Sequence, residues 1–208
     1  MGKIYCLMGK SASGKDTIFR ELLKRDELGL KKIVPYTTRP VRAGEKSGEQ
    51  YYFTDEEGLK RLEAEGRVIE KRFYKTVHGI WYYFTVDDDN VDLESADHLL
   101  IGTPAACIAL RDFYGEEAVL PIYIELDDGE RLKRALSREL RQKQPKYAEM
   151  CRRYLADEED FSEENLMKAG IEKRFYNDDL DVCIERIAEY IHGYKGKSDN
   201  SGSATHTR

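Results

Sequence analysis

What this sequence lacks narrows its chemistry first. It has no C-x-x-C pair and no Cys/His cluster; Cys6, Cys107, Cys151 and Cys183 are scattered over the chain, so they read as reduced, structural thiols and not as metal ligands or a disulfide framework. No apolar run approaches the roughly 20 residues that span a bilayer. The run opening "MGKIYCLMGK" is too short for a signal-peptide core, so a soluble, cytoplasmic protein without a membrane partner is expected. Excess positive charge is also missing. With a formal net charge of -6 and a pI near 5.4, no overall field attracts a nucleic acid, and a polyphosphate must be met by a local group of Arg and Lys. At 208 residues one domain with insertions is expected.

What is present alternates between strands and helices. "KIYCLM" (3–8) reads as a buried strand, followed by a glycine-rich loop and a helix with Ile18, Leu22 and Leu23 on its apolar face. "KKIVPY" (31–36) reads as a second short strand. "QYYFT" and "RVIEKRFYKT" have strand character around a helix near 55–65, which suggests a β-rich insertion. "DHLLIG" then "PAACIALRDF", with Pro104 in a first helical turn, and "AVLPIYIEL" then "DGERLKRALSREL" repeat the alternation of a parallel sheet covered on both faces. The fold class is therefore α/β, doubly wound. Residues 130–169 are helical and highly charged, split in two by Pro145, and a last helix spans about 180–194. The Gly/Ser-rich end, 195–208, reads as a disordered tail.

The loop "GKSASGKDT" runs from Gly9 to Thr17 between the first strand and the first helix. Gly9-x4-Gly14-Lys15 in that context is a P-loop: backbone N–H groups from Gly9, Ser11, Ala12, Ser13 and Gly14 curl around phosphate oxygens, and Lys15 reaches the β and γ phosphates of ATP. Asp16 stands where such loops normally place a hydroxyl residue. Thr17 offers that hydroxyl one position later, so Mg²⁺ is expected on Asp16, Thr17 or both. A second loop, "TTRPVRAGEKSGEQYYF" (37–53), carries Arg39, Arg42 and Tyr51, two guanidiniums and a phenol suited to one phosphate monoester.

That second string resembles the acceptor signature of guanylate kinases, T-T-R-x-x-R-x-x-E-x-x-G-x-x-Y-x-F, with Thr37, Thr38, Arg39, Arg42, Glu45, Gly48, Tyr51 and Phe53 in register. The resemblance extends over roughly 1–192. It implies a P-loop kinase that phosphorylates GMP and dGMP with MgATP, with an acceptor-binding subdomain at about 35–86, a mobile lid at about 130–169, and a domain ending near 194. Within it, Glu70 reads guanine, Tyr83 (Tyr82 as the alternative) meets the acceptor phosphate, and Thr85 is the small hydroxyl that follows. A carboxylate can accept from both guanine N1–H and N2–H, whereas adenine presents an acceptor at N1. The resemblance also implies Arg138 and Arg153, with Arg134 beside them, as lid arginines over the donor phosphates. "YNDDLD" (176–181) implies Asn177 at the adenine of ATP, while an N-cap at Asp178 or Asp179 explains the same letters.

Three positions depart from the pattern. Pro35 stands where the family has a serine that donates to guanine O6, Thr103 replaces a carboxylate expected beside Glu70, and Asp16 alters the phosphate loop. Asp16 either compensates the carboxylate lost at 103, or the acceptor is another nucleotide or ribose 1,5-bisphosphate. A non-catalytic binding module of the same family is the remaining class, against which the retained Lys15 and lid arginines speak. As an enzyme of small nucleotides the chain is expected as a monomer or a homodimer.

Overall fold

The computed structural model describes residues 2–42, 44–76, 79–88 and 91–200. Strand β1 (Ile4–Met8) is wholly buried, and its side chains alternate between two cores. Tyr5 and Leu7 pack with Ile18 and Leu22 of α1 (Lys15–Leu23) and with Cys183, Ile184 and Ile187 of α7 (Leu180–Asn200). Ile4, Cys6 and Met8 point the other way, onto Cys107 and Leu110 of α3 (Pro104–Tyr114). A strand that is apolar on both faces can be satisfied only by helices on both sides, which is the doubly wound arrangement read from the sequence.

The central sheet completes this frame. β2 (Lys31–Lys32), β7 (His98–Ile101), β1, β8 (Val119–Glu125) and β9 (Arg174–Tyr176) lie in that order and every pairing is parallel. β1 sits in the middle, flanked by strands that come later in the chain. The loop after β1 therefore opens at the carboxyl edge of the sheet, where the strand order reverses and ligands collect in α/β folds.

The insertion forms a second sheet of order β4-β3-β6-β5, made of β3 (Tyr36–Thr37), β4 (Tyr52–Phe53), β5 (Val68–Thr76) and β6 (Gly79–Val86). Its small core of Leu59, Leu62, Phe84 and Val86 is closed by α2 (Glu56–Ala64), whose N-cap Asp55 accepts from Gly58 N–H. Here the single strand expected at 31–36 divides. Ile33 N–H still bonds Leu99 O in the parallel sheet, but Pro35 has no N–H to extend that ladder, and its carbonyl instead accepts from Tyr52 in the second sheet.

The charged segment also differs from the two helices expected. It is built of α4 (Asp128–Leu140), α5 (Tyr147–Asp160) and α6 (Glu163–Lys168), the last opened by the Ser162 N-cap. No residue of α5 is buried, but Phe161, Leu166 and Ala169 belong to the main core, so the part of the expected lid beyond 160 is scaffold. Helix α7 runs on to Asn200, past the end expected at 194; the remainder of the expected tail lies outside the described residues.

Candidate functional site

The loop at 9–14 is shaped by contacts that only glycine permits at its two ends. A Cβ on Gly9 would stand 2.8 Å from Ile124 O and 2.8 Å from Ser13 Oγ. Gly14 has φ 94°, and a Cβ there would run into Asn177 Nδ2. Ala12 is also held in the left-handed region, with φ 64°. Gly14 caps α1 without a side chain; Thr17 N–H turns to Gly14 O at 3.0 Å, no side-chain oxygen caps the first turn, and this end carries the positive end of the helix dipole. Lys15 Nζ lies 3.5 Å from the Asp16 carboxylate, which is 77% exposed on the first turn.

Asn177 fixes the loop from below. It follows β9, is buried, and donates from Nδ2 to Ser13 O at 2.7 Å, while its own N–H is held by Glu125 O. Its side chain therefore lies under the phosphate loop, and the N-cap role suggested by the same letters falls to Asp179, which accepts from Val182 N–H at 3.0 Å. Ser13 Oγ and Asn177 Oδ1 are buried here without a hydrogen-bond partner among the described residues.

Helices α4 and α5 close over the other side of the loop through residues that the sequence reading did not single out. Arg131, 2% exposed at its side chain, donates to Asp128, to Glu158 at 2.7 Å and to Ser11 O at 3.2 Å, and lies 4.8 Å over the Tyr154 ring. Lys10 Nζ bonds both Glu158 oxygens at 2.8 Å, and Asp157 accepts from Ser11 N–H at 2.7 Å. Of the expected lid arginines, Arg153 reaches Ser11 Oγ at 3.4 Å and Arg134 donates to Asn177 O at 3.5 Å. Arg138 is exposed one turn further along α4. Asp160 has its carboxyl raised above the ordinary value, chiefly by burial and then by the neighbouring Asp157.

In the second loop, Arg39 is buried and its fork is taken by Glu45, with bonds of 2.9 and 2.8 Å, while Nη1 also donates to Pro40 O. The guanidinium sits 5.5 Å from both the Tyr51 and Phe53 rings. Arg39 in turn holds the Glu45 carboxyl below its ordinary range against the opposing effect of burial. Arg42 contributes its N–H to Glu45 and leaves its side chain exposed. A cavity of 840 Å³ opens on the outer side of Arg39 against α2, but it contains none of residues 9–17 and not Glu70.

The β5–β6 hairpin sorts the aromatic residues by face. Register pairs Glu70 with Thr85, Arg72 with Tyr83 and Tyr74 with Trp81, which puts all six on one face. Tyr83 makes edge contacts with Tyr51 and Tyr74, at 5.6 and 5.5 Å. Tyr82 stands on the opposite face, packed with Phe73 and against the Phe84 core. Glu70 is 8% exposed; Thr85 Oγ1 donates to it at 2.9 Å and Arg72 pairs with it at 3.2 Å. Burial pushes the Tyr51 hydroxyl above its ordinary value. Thr103 is the N-cap of α3, accepting from Ala106 N–H at 3.3 Å. The His-Gly turn before β6 lies partly outside the described residues, and no group of metal-binding side chains is preassembled among the described ones.

Comparison with known proteins finds guanylate kinases. The guanylate kinase family model matches residues 1–96. A guanylate kinase of Anaplasma phagocytophilum is 34% identical over 138 residues, covering 65% of this chain and 63% of that protein. One from Porphyromonas gingivalis is 26% identical over 204 residues, 95% of this chain and 100% of the other, and one from Chlorobaculum tepidum is 29% identical over 198 residues, 91% and 94%. The chain thus spans just under two thirds of the first relative and the whole of the second. The crystal structure of guanylate kinase from Anaplasma phagocytophilum superposes with a TM-score of 0.66 at 23% identity, covering 93% of this chain and 86% of that one, a likeness of fold.

Proposed function

We propose that the chain is a member of the guanylate kinase family and that it transfers the γ-phosphoryl group of ATP to GMP, and to dGMP, releasing ADP and the nucleoside diphosphate, a reading supported by its likeness to guanylate kinases. The observation that carries this reading is the single hairpin face bearing Glu70, Thr85 and Tyr83 together with the buried Arg39–Tyr51 contact. A carboxylate and a phosphate-sized group of phenols and guanidinium on one surface match a nucleoside monophosphate. No helix of the described residues is long and apolar enough to cross a membrane, and the proposed enzyme is cytoplasmic, a monomer or homodimer acting on free nucleotides.

Residues of the loop Gly9–Thr17 bind the donor phosphates, with Asn177 acting through Ser13 to hold the loop's shape. Lys15, Arg153 and Arg138 act on the charge that spreads over the transferring phosphoryl oxygens, which is the main handle a protein has on this reaction. Arg39, Arg42, Tyr51 and Tyr83 fix the acceptor phosphate; Glu70 reads the base, held by Thr85, with Thr103 at the pocket's edge. The acceptor phosphate is already ionised near neutrality, so positioning in line replaces a general base. Residues 35–86 act as the acceptor subdomain, and α4 with α5 as the lid.

The exposed carboxylate of Asp16 and the hydroxyl of Thr17, both hard oxygen donors on the first turn of α1, suit Mg²⁺. The ion, when bound, neutralises the donor phosphates and polarises them toward attack.

The test is ADP release from MgATP with GMP, dGMP, AMP, CMP, UMP and ribose 1,5-bisphosphate as acceptors, with Lys15→Ala as the blank. Turnover confined to GMP and dGMP is expected. Turnover with another acceptor removes the guanine assignment, and silence across the panel from folded protein leaves a binding module.

A further inference from the structure

Arg72 has no part in the roles above, yet it occupies the middle of the acceptor face. It lies between Glu70 and Tyr74 on β5 and opposite Tyr83 on β6. Its Nη2 donates to Glu70 Oε1 at 3.4 Å, the same oxygen that accepts from Thr85, and its Nε stands 3.2 Å from Oε2. That second approach is an ion-pair contact without hydrogen-bond alignment, so the buried Nε–H has no acceptor among the described residues. A guanidinium donor left without an acceptor inside a protein is costly unless something else takes it.

The lone pairs of Glu70 say what that is. A carboxylate offers about four acceptor positions. Thr85 and Arg72 Nη2 already take both positions of Oε1, whereas guanine, pairing N1–H and N2–H with the two carboxylate oxygens, needs one position on each, and of the two bonds on Oε1 the Arg72 one, 3.4 Å against 2.9 Å, is the weaker. Docking guanine on Glu70 must therefore displace an Arg72 donor. The next atom along the guanine edge is O6, an acceptor, and Pro35 has no side-chain donor to give it. We propose, resting on the GMP reading above, that Arg72 is a specificity-determining residue whose guanidinium turns from Glu70 to guanine O6 and N7 when the acceptor binds. Adenine fails on both counts, meeting the Glu70 carboxylate with N1 and the guanidinium with its 6-amino group. The free enzyme keeps Arg72 on Glu70, and so keeps a buried carboxylate neutralised until the base arrives.

The test compares kcat/KM for GMP with that for its 6-thio analogue, which keeps N1–H and N2–H but replaces O6 by sulfur, a weak acceptor. Wild-type protein should favour GMP by about tenfold to a hundredfold, the discrimination expected of a bidentate arginine-guanine contact. Arg72→Met should bring the two acceptors within about twofold while AMP stays excluded. Arg72→Gln, which keeps a donor and spares the fold if the methionine variant does not express, should restore part of the preference. Equal slowing of both acceptors in the variants, with the wild-type ratio intact, would show that Arg72 serves only to hold Glu70 and overturns the proposal, as does a wild-type ratio near one. Absence of wild-type turnover with GMP removes the underlying reading, and is seen before any substitution is made.

Discussion

Asn177→Ala and Asn177→Asp together separate a residue that shapes the phosphate loop from one that touches the nucleotide. The bond from Nδ2 to Ser13 O is 2.7 Å long and buried at both ends. Truncation to alanine leaves the Ser13 carbonyl without a donor, a loss of about 1–3 kcal/mol. In a chain of this size that corresponds to a fall in Tm of roughly 2–12 °C. The loop itself is released, so KM for ATP should rise while KM for GMP holds. Aspartate is nearly isosteric but sets an oxygen against the Ser13 oxygen, so at neutral pH it should cost more than alanine. Burial against a carbonyl raises the folded pKa of the introduced carboxyl, and its protonated form can donate to Ser13. A group with a raised folded pKa stabilises as pH falls, so Asn177→Asp should recover stability relative to wild type as pH falls from that raised value toward about 3.9, the ordinary aspartate pKa, whereas Asn177→Ala should not. Urea unfolding at several pH values, read beside ATP kinetics, decides the matter. If Asn177→Ala keeps wild-type stability while kcat/KM for ATP collapses, the side chain acts on the nucleotide directly and the loop-clamp argument is wrong.

Tyr83→Phe should raise KM for GMP by about twofold to tenfold, the range of one hydrogen bond, while Tyr82→Phe, on the opposite face, should change it less than twofold; the reverse ordering in steady-state kinetics would invert the face assignment. Lys15→Ala should lower kcat by about a hundredfold or more with little effect on Tm, as expected of charge stabilisation confined to the transition state. Glu45 has a depressed folded pKa, so its pairing with Arg39 contributes stability fully above the ordinary value of 4.5 and loses it as pH falls through the lower folded value. The Tm difference between wild type and Glu45→Gln should accordingly be present at neutral pH and shrink on acidification below that window; a difference independent of pH would mean the pair contributes packing and not charge.

Much of this architecture is legible in the letters because it rests on local constraint. Gly9 and Gly14 are needed where a Cβ would collide or φ is positive, and "KIYCLM" is apolar at consecutive positions because both its faces are covered. The tyrosine of the acceptor face was not legible to one residue. Alternation along β5 puts Glu70, Arg72 and Tyr74 together, but which of Tyr82 and Tyr83 joins them depends on how many residues the intervening turn takes up, and only the register of the ladder fixes that. The letter at 35 shows a residue without a side-chain donor, but its backbone consequence, the transfer of the chain from one sheet to the other, depends on which strands lie on either side.

The charged helices mark where sequence reading stops. Arg131 stands in the same charged stretch as Lys133 and Arg134, where acids and bases follow one another, so nothing local marks it as the guanidinium of these helices that is buried. Its position is decided when α4 and α5 meet over the loop, which brings Asp128, three residues earlier, and Glu158, in the next helix, to the same group. The same meeting sets Asp157 on Ser11 N–H and Glu158 on Lys10. Periodicity would have found an apolar seam between these helices, but here the seam is ionic. Ion pairing carries no spacing rule beyond i, i+3 and i, i+4 on one helix, and Arg131 with Asp128 satisfies that rule no better than the exposed Glu149–Arg152 pair does. The contrast between those two pairs is burial, 2% for the Arg131 side chain and 40% for that of Arg152, and burial is a property of the packed helices that no single stretch of either one encodes.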